Sequence, residues 1–297
     1  MSEAKPNLET PAFWQNQGLP IAVAHRGGDA AGIEKENSLA AFQAAHDKGF
    51  RWFETDVIPT KDGQLLAIHG RGMQLHPNKD LPTRGKIQAM TFEQAKSLLV
   101  GGEPMPLLED LLSTFPDAKW FIDPKVNAAV LPLIDILKQN GRNLDNISVG
   151  AFSQKRTSQV ASELKEATGK DICTSIGPVG AMAILGASDV KLGNLAPQDR
   201  IAYGVMKSLH RLPSAEEAVR QTRAASLNVP YKWVNESNNL VELAHGLGLH
   251  LATWTPNERG DIEQSVDKGA DAVMSDRLDV LQGVLNDHNP ANPSIVQ

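Results

Sequence analysis

Eight short runs rich in Val, Ile and Leu recur along the chain, at residues 20–25, 51–58, 119–123, 146–152, 171–176, 225–229, 249–254 and 271–275. Amphipathic stretches separate most of them, at 38–48, 107–115, 128–140, 154–168 and 240–246. A continuous apolar run is the signature of a strand buried on both faces, as in a parallel sheet covered by helices. Eight strand–helix pairs in about 250 residues meet the demand of a closed barrel. The expected fold class is therefore α/β, a TIM-type (β/α)8 barrel. An open doubly wound sheet is the competitor. It uses fewer strands and a glycine-rich dinucleotide turn, and no G-x-G-x-x-G follows the first run.

Two stretches break the alternation. Residues 70–106 contain Pro77, Pro82, Pro104, Pro106 and the pair Gly85-Lys86, and read as a small insertion after the second strand, lying over the rim. Residues 188–223 are polar and leave the sixth unit without an assignment. Residues 1–18 are expected to be an N-terminal surface arm, 19–287 a single barrel domain, and the Pro/Asn-rich residues 288–297 a frayed tail.

Composition narrows the function classes. The formal charge of −6 argues against broad contact with nucleic acid or anionic membrane. Cys173 is the only cysteine, which rules out an internal disulfide and suits a reducing compartment. No basic start followed by an apolar stretch opens the chain, and no run approaches the roughly 18 apolar residues of a membrane span. The expectation is a cytoplasmic protein without an integral membrane segment, of undetermined oligomeric state.

Ionisable groups gather where the apolar runs end. Glu54 and Asp56 are two apart on a strand and so project from one face. Asp123 and Lys125 repeat that spacing at the end of the third run. Three carboxylates at one rim repel each other unless a cation joins them, and oxygen donors suit Mg2+ or Ca2+ better than zinc. Taken singly, each acid is as readily explained by pairing with a nearby Arg or Lys. His25 and His69 also end apolar runs, and imidazole gives and takes protons near neutral pH. Arg26 and Lys125 could contact phosphate oxygens, with Glu36 fixing the direction of Arg26. Trp254, at the end of the seventh run, reads equally as an apolar wall for substrate or as rim packing. His76 in the insertion could reach substrate, and Cys173 reads as an inert core residue.

Taken in order, these pieces resemble the glycerophosphodiester phosphodiesterases along nearly the whole chain. The matching segments are Ala24-His25-Arg26-Gly27, Glu36-Asn37-Ser38, Glu54-Thr55-Asp56-Val57, His69, Met105-Pro106-Leu107-Leu108-Glu109-Asp110, Asp123-x-Lys125, Trp254-Thr255-Pro256-Asn257 and Gly269-Ala270-Asp271 through Ser275-Asp276. The resemblance implies a divalent cation (Mg2+ or Ca2+, with Mn2+ also suitable) held by Glu54, Asp56 and Asp123, and His25 and His69 as the acid/base pair. It implies a small-molecule glycerophosphodiester substrate cleaved to an alcohol and glycerol 3-phosphate. A lysophospholipase D-like activity on lipid, and a catalytically silent barrel binding a phosphorylated ligand, are the alternatives. The chain departs from the family pattern in four places: Gly70 stands where Asp is usual, Asp123 where Glu is usual, Ser275 where Thr is usual, and Lys35 where Pro is common.

Overall fold

The computed structural model describes residues 11–15, 18, 20–71, 81–139, 143–178, 180–182, 219, 224–234 and 239–288. The first half of the chain gives β1 (Ile21–His25), α1 (Leu39–Asp47), β2 (Trp52–Pro59), β3 (Leu65–Ala67), α2 (Arg84–Ala89), α3 (Phe92–Ala95), β4 (Leu99–Val100), β5 (Glu103–Pro104), α4 (Leu108–Thr114), β6 (Lys119–Pro124) and α5 (Val130–Leu137). There follow β7 (Ile147–Ala151), α6 (Gln154–Thr168), β8 (Cys173–Ile176), β9 (Ser226–Pro230), α7 (Leu240–Gly246), β10 (His250–Trp254), α8 (Arg259–Asp267), β11 (Ala272–Ser275) and α9 (Leu278–His288).

The strand order β1-β11-β10-β9-β8-β7-β6-β2 closes through parallel pairing of β1 with β2, so the eight apolar runs form a closed parallel barrel. β3 is an antiparallel addition on β2, registered Val57 to Ala67 and Ile58 to Leu66. The insertion follows it, with α2, α3 and the β4–β5 hairpin over a core of its own that includes Ile58, Leu81, Ile87 and Val100. The unassigned stretch 188–223 lies almost wholly outside the described residues, as does His76.

Strand parity explains which side chain goes where. On β1, Ala22 and Ala24 pack outward under the helices, and Val23 points into the barrel. On β2, Phe53 and Val57 join the outer layer, and Trp52 joins the lumen cluster with Phe121, Cys173, Ala252 and Met274. Glu54 and Asp56 share the parity of Trp52, which carries them up the same inner face.

Residues 11–15 are not a surface arm. Phe13 and Trp14 are 1% and 4% exposed and belong to the lumen cluster. Phe13 meets Trp52 and Phe121 edge to face, with ring centroids at 4.7 and 4.9 Å, and Trp14 stacks on His250 at 4.3 Å. Trp52 and His250 begin their strands, so the two aromatics stopper the amino-terminal end of the barrel. Open barrel ends leave apolar side chains in water, and aromatic burial removes that cost.

Candidate active site

His25 is the last residue of β1, and the chain then turns through Arg26 and Gly27 at φ +53° and +86°. A Cβ at Gly27 would lie 2.7 Å from the Cβ of Ala41, so glycine is what lets this turn reach the first turn of α1. Ser38 caps α1, its Oγ accepting from the Ala41 amide at 3.1 Å. Asn37, also left-handed at φ +61°, donates its amide to the Arg26 carbonyl at 2.8 Å and accepts the Thr55 hydroxyl on its side chain at 2.8 Å. A helix cap, a strand and the His25-Arg26 turn are thus bound into one unit.

The carboxyl mouth of the barrel holds a network of charges. Arg26 pairs through Nε with Asp56 at 2.8 Å and through Nη1 with Glu36 at 3.1 Å. Lys125 pairs with both Asp56 and, at 2.7 Å, Asp123. His25 faces Asp276 through Nδ1 at 2.6 Å and Glu54 through Nε2 at 3.6 Å. Burial opposes ionisation of Asp56, but Arg26 and Lys125 overcome it and hold its carboxyl well below the usual range. Burial and the Asp56 charge push Glu54 up to about 7. His25 is raised: burial disfavours its charged form, and Asp276 and Glu54 outweigh that and the opposing charge of Arg26.

The nine residues given a catalytic, metal, substrate or supporting role from the sequence, His25, Arg26, Glu36, Glu54, Asp56, His69, Asp123, Lys125 and Trp254, line one cavity of about 1110 Å³. His69 reaches it because Ile68 donates its amide to the Asp56 carbonyl at 2.8 Å, tying the end of the β3 run to β2. Trp254 lies beside Phe152, ring centroids 5.9 Å apart. Cys173 is buried in the lumen below, its thiol pushed up to about 12 by burial, in keeping with an inert core residue.

Other site residues carried no assigned role in the sequence. Asp276 holds His25, and Asn257 holds Asp276, donating Nδ2 to Oδ2 at 2.7 Å and accepting the Asp276 amide at 3.0 Å. Arg84 from the insertion and Arg156 from the first turn of α6 reach the same cavity. Asp276 and Asn257 fall in segments that match the family pattern, and Asp276 lies just past a strand end, but neither signal gave them a role. The two arginines gave no signal.

Among the described residues the cavity lining carries six carboxylates (Glu34, Glu36, Glu54, Asp56, Asp123, Asp276) against four permanent cations (Arg26, Arg84, Lys125, Arg156). With neutral histidines and every carboxylate ionised, these acids outnumber the cations by two, a poor receptor for an anion unless a divalent cation completes it. One oxygen each of Glu54 and Asp123 is buried without a hydrogen-bond partner among the described residues. Among the described residues no three acid, imidazole or thiol groups converge into a ready cage, because Asp56 is held by Arg26 and Lys125. By charge and by the hardness of its donors, the acid set fits an oxygen-preferring divalent ion.

A closed (β/α)8 barrel with acids, imidazoles and cations in one carboxyl-end cavity has the layout of a barrel enzyme. The model of the glycerophosphoryl diester phosphodiesterase family matches residues 25–280, and the chain belongs to that family. A Mycobacterium tuberculosis protein named "Probable glycerophosphodiester phosphodiesterase 2" is 30% identical over 269 residues, covering 89% of this chain and 90% of that one. Lysophospholipase D GDPD1 of Homo sapiens is 24% identical, covering 89% and 85%. A solved Oleispira antarctica phosphodiesterase, in complex with the product sn-glycerol-3-phosphate, superposes with a TM-score of 0.60 at 18% identity, covering 90% and 97%. Among the described residues no helix is long and apolar enough to cross a membrane.

Proposed function

We propose that this protein hydrolyses glycerophosphodiesters to an alcohol and glycerol 3-phosphate, with a divalent cation and with His25 and His69 as its acid/base pair. The single observation that carries the reading is the meeting of both histidines, three acids from β2 and β6 and two cations in one cavity. Glu54, Asp56 and Asp123 are the residues that would hold Mg2+, Ca2+ or Mn2+. When bound, the ion supplies charge neutralisation for the phosphate and the developing oxyanion.

The remaining work falls to the chain's own groups. Glu36 and Asp56 fix the Arg26 guanidinium, which can then contact a phosphate oxygen without an entropic search. Lys125 adds a point charge beside it. One histidine takes the proton of the attacking hydroxyl and the other gives a proton to the departing alcohol oxygen. A new P–O bond forms as the old one breaks, and the pair is reset by exchange with water. The nucleophile is water, or the glycerol's own hydroxyl with a cyclic phosphate opened afterwards; detection of a cyclic glycerophosphate distinguishes the routes.

The test is hydrolysis of glycerophosphocholine by the wild type and by His25→Ala, His69→Ala and Glu54→Ala. Each variant is expected to lose on the order of 10²–10⁴-fold while keeping its fold. Near-normal turnover by any of them sinks the corresponding assignment.

A second reading, a lysophospholipase D-like activity, has its own observation. Ile33, Leu99 and Phe152 line the cavity while 53%, 57% and 41% exposed. An apolar rim of this kind suits an acyl chain. Turnover of a long-chain lysophosphatidylcholine well above that of glycerophosphocholine would favour it.

A further inference from the structure

We propose that Arg84 and Arg156 form a second anion subsite in the active cavity, and that it takes a phosphomonoester carried by the leaving alcohol of the glycerophosphodiester. The inference rests on the phosphodiesterase reading and deepens it.

The positive charges first expected at the substrate are already committed. Arg26 lies between Asp56 and Glu36, and Lys125 between Asp56 and Asp123. Arg84 and Arg156 are different. Arg84 spends Nε on the His69 carbonyl at 3.3 Å and approaches the His69 ring with Nη2 at 3.5 Å. Arg156 donates Nη1 to the Pro124 carbonyl, and its buried Nε has no hydrogen-bond partner among the described residues. Neither guanidinium has a carboxylate at ion-pair distance among the described residues; Asp123, whose charge acts on Arg156, is held by Lys125.

The two arginines also feel each other. Burial and the Arg84 charge together lower the pKa of Arg156 against the pull of Asp123. Like charges lining one cavity are unfavourable until an anion joins them. A guanidinium fork presents paired N–H donors that match phosphate oxygens, and a pair of forks suits a doubly charged phosphomonoester.

Gly70 makes the arrangement possible. A Cβ there would lie 2.7 Å from Ile58 Cδ1 and 3.1 Å from Arg84 Cγ, and its φ is +59°. The side chain that is absent at position 70 leaves the room that the Arg84 stem occupies. Where the family pattern has an acid after the second histidine, this chain has Gly70, with the Arg84 stem packed beside it.

The rest of the cavity orients the substrate. Gly150, Ser175 and Asn228 form a neutral part of the wall, where Ser175 is 2% exposed and its Oγ has no hydrogen-bond partner among the described residues. A Cβ at Gly150 would lie 2.1 Å from that oxygen. The Ser175 hydroxyl and the Asn228 amide nitrogen, whose oxygen partner accepts the Ser226 hydroxyl at 3.1 Å, suit the hydroxyls of glycerol, and the arginines suit a charged group. A cavity of about 1110 Å³ has room for both.

The experiment compares sn-glycero-3-phosphoinositol with its 4-phosphate, two diesters that differ only by the phosphomonoester. Turnover is measured with Mg2+ present for the wild type, Arg84→Gln and Arg156→Gln. Calorimetry with myo-inositol 4-phosphate alone supplies a readout independent of turnover. The wild type is expected to favour the 4-phosphate by about tenfold in kcat/KM, mainly through KM, and each variant to lose about tenfold of that ratio. The ratio does not depend on the fraction of folded enzyme. Binding of myo-inositol 4-phosphate should weaken by about the same factor in each variant.

A wild-type ratio near one, or variants that lose both substrates equally, overturns the subsite. The second outcome would put the arginines on the scissile phosphate instead. If the wild type hydrolyses neither these diesters nor glycerophosphocholine, the phosphodiesterase reading fails separately. Arginine-dependent binding of myo-inositol 4-phosphate would then still uphold the subsite, and no binding would overturn it.

Discussion

His25 Nδ1 and Asp276 Oδ1 are 2.6 Å apart although 251 residues separate them in sequence. The contact spans the seam where β1 and β11 pair. Asn257 fixes the other Asp276 oxygen, and Asp276, though burial opposes its ionisation, is held to about 2 by His25 and these hydrogen bonds. The imidazole is left with Nε2 turned toward Glu54 and the cavity.

Asp276→Asn should therefore lower kcat by roughly 10–100-fold, the usual effect of losing the group that orients a working histidine. KM and the melting temperature should change little, since no substrate contact or core packing is removed. A variant that raises KM with kcat intact would make Asp276 a substrate contact instead.

Dialysis against a chelator should abolish hydrolysis of glycerophosphocholine, and Mg2+, Ca2+ or Mn2+ should restore it. Glu54→Gln should raise the cation concentration needed for half-maximal rate, because a carboxylate donor becomes a neutral amide. Full turnover after exhaustive chelation would remove the cation from the mechanism and leave Arg26 and Lys125 as the neutralising groups.

Phe13→Ala tests the aromatic stopper at the far end of the barrel. Deleting a fully buried ring of this kind costs about 3–5 kcal/mol, and a urea melt should show a loss of that order. The residual activity per folded molecule should stay near the wild-type value, since the catalytic cavity lies at the opposite mouth. A melt unchanged from wild type would mean that these residues do not pack in the barrel in solution.

Asp271 offers a pH test away from the active site. It accepts the Leu251 amide at 2.7 Å and His245 Nε2 at 2.8 Å, tying α7, β10 and β11 together. Burial opposes its ionisation, but hydrogen bonds from His250, Leu251 and His245 outweigh that and lower its pKa. A lowered carboxyl pKa contributes stability above the ordinary value near about 4 that is lost as pH falls through it. Asp271→Asn should cost about 1–2 kcal/mol at neutral pH, and the gap from wild type should narrow below about pH 4. A gap that stays constant into acid would assign the loss to packing.

The strands were legible in sequence because each is covered on both sides, and a doubly buried strand has to be apolar throughout. Ser38–Lys48 and Gln154–Thr168 were legible as helices for a related reason: one apolar stripe, a capping serine before α1 and a left-handed glycine, Gly169, closing α6. The β4–β5 hairpin was not, since strands of two residues show no periodicity. Phe13 and Trp14 stand among polar and proline residues, and only the open barrel end below Trp52 and His250 gives them somewhere to go.

By itself, the sequence determined a closed barrel and brought acids, imidazoles and cations to one of its mouths, because strand period and strand ends are local properties. Only the tertiary structure decided who partners whom: Asp56 with Arg26 and Lys125, His25 with Asp276, and Arg84 with the space left by Gly70. The reason is that charge interactions depend on separation and burial, and neither is written in the spacing of residues along the chain.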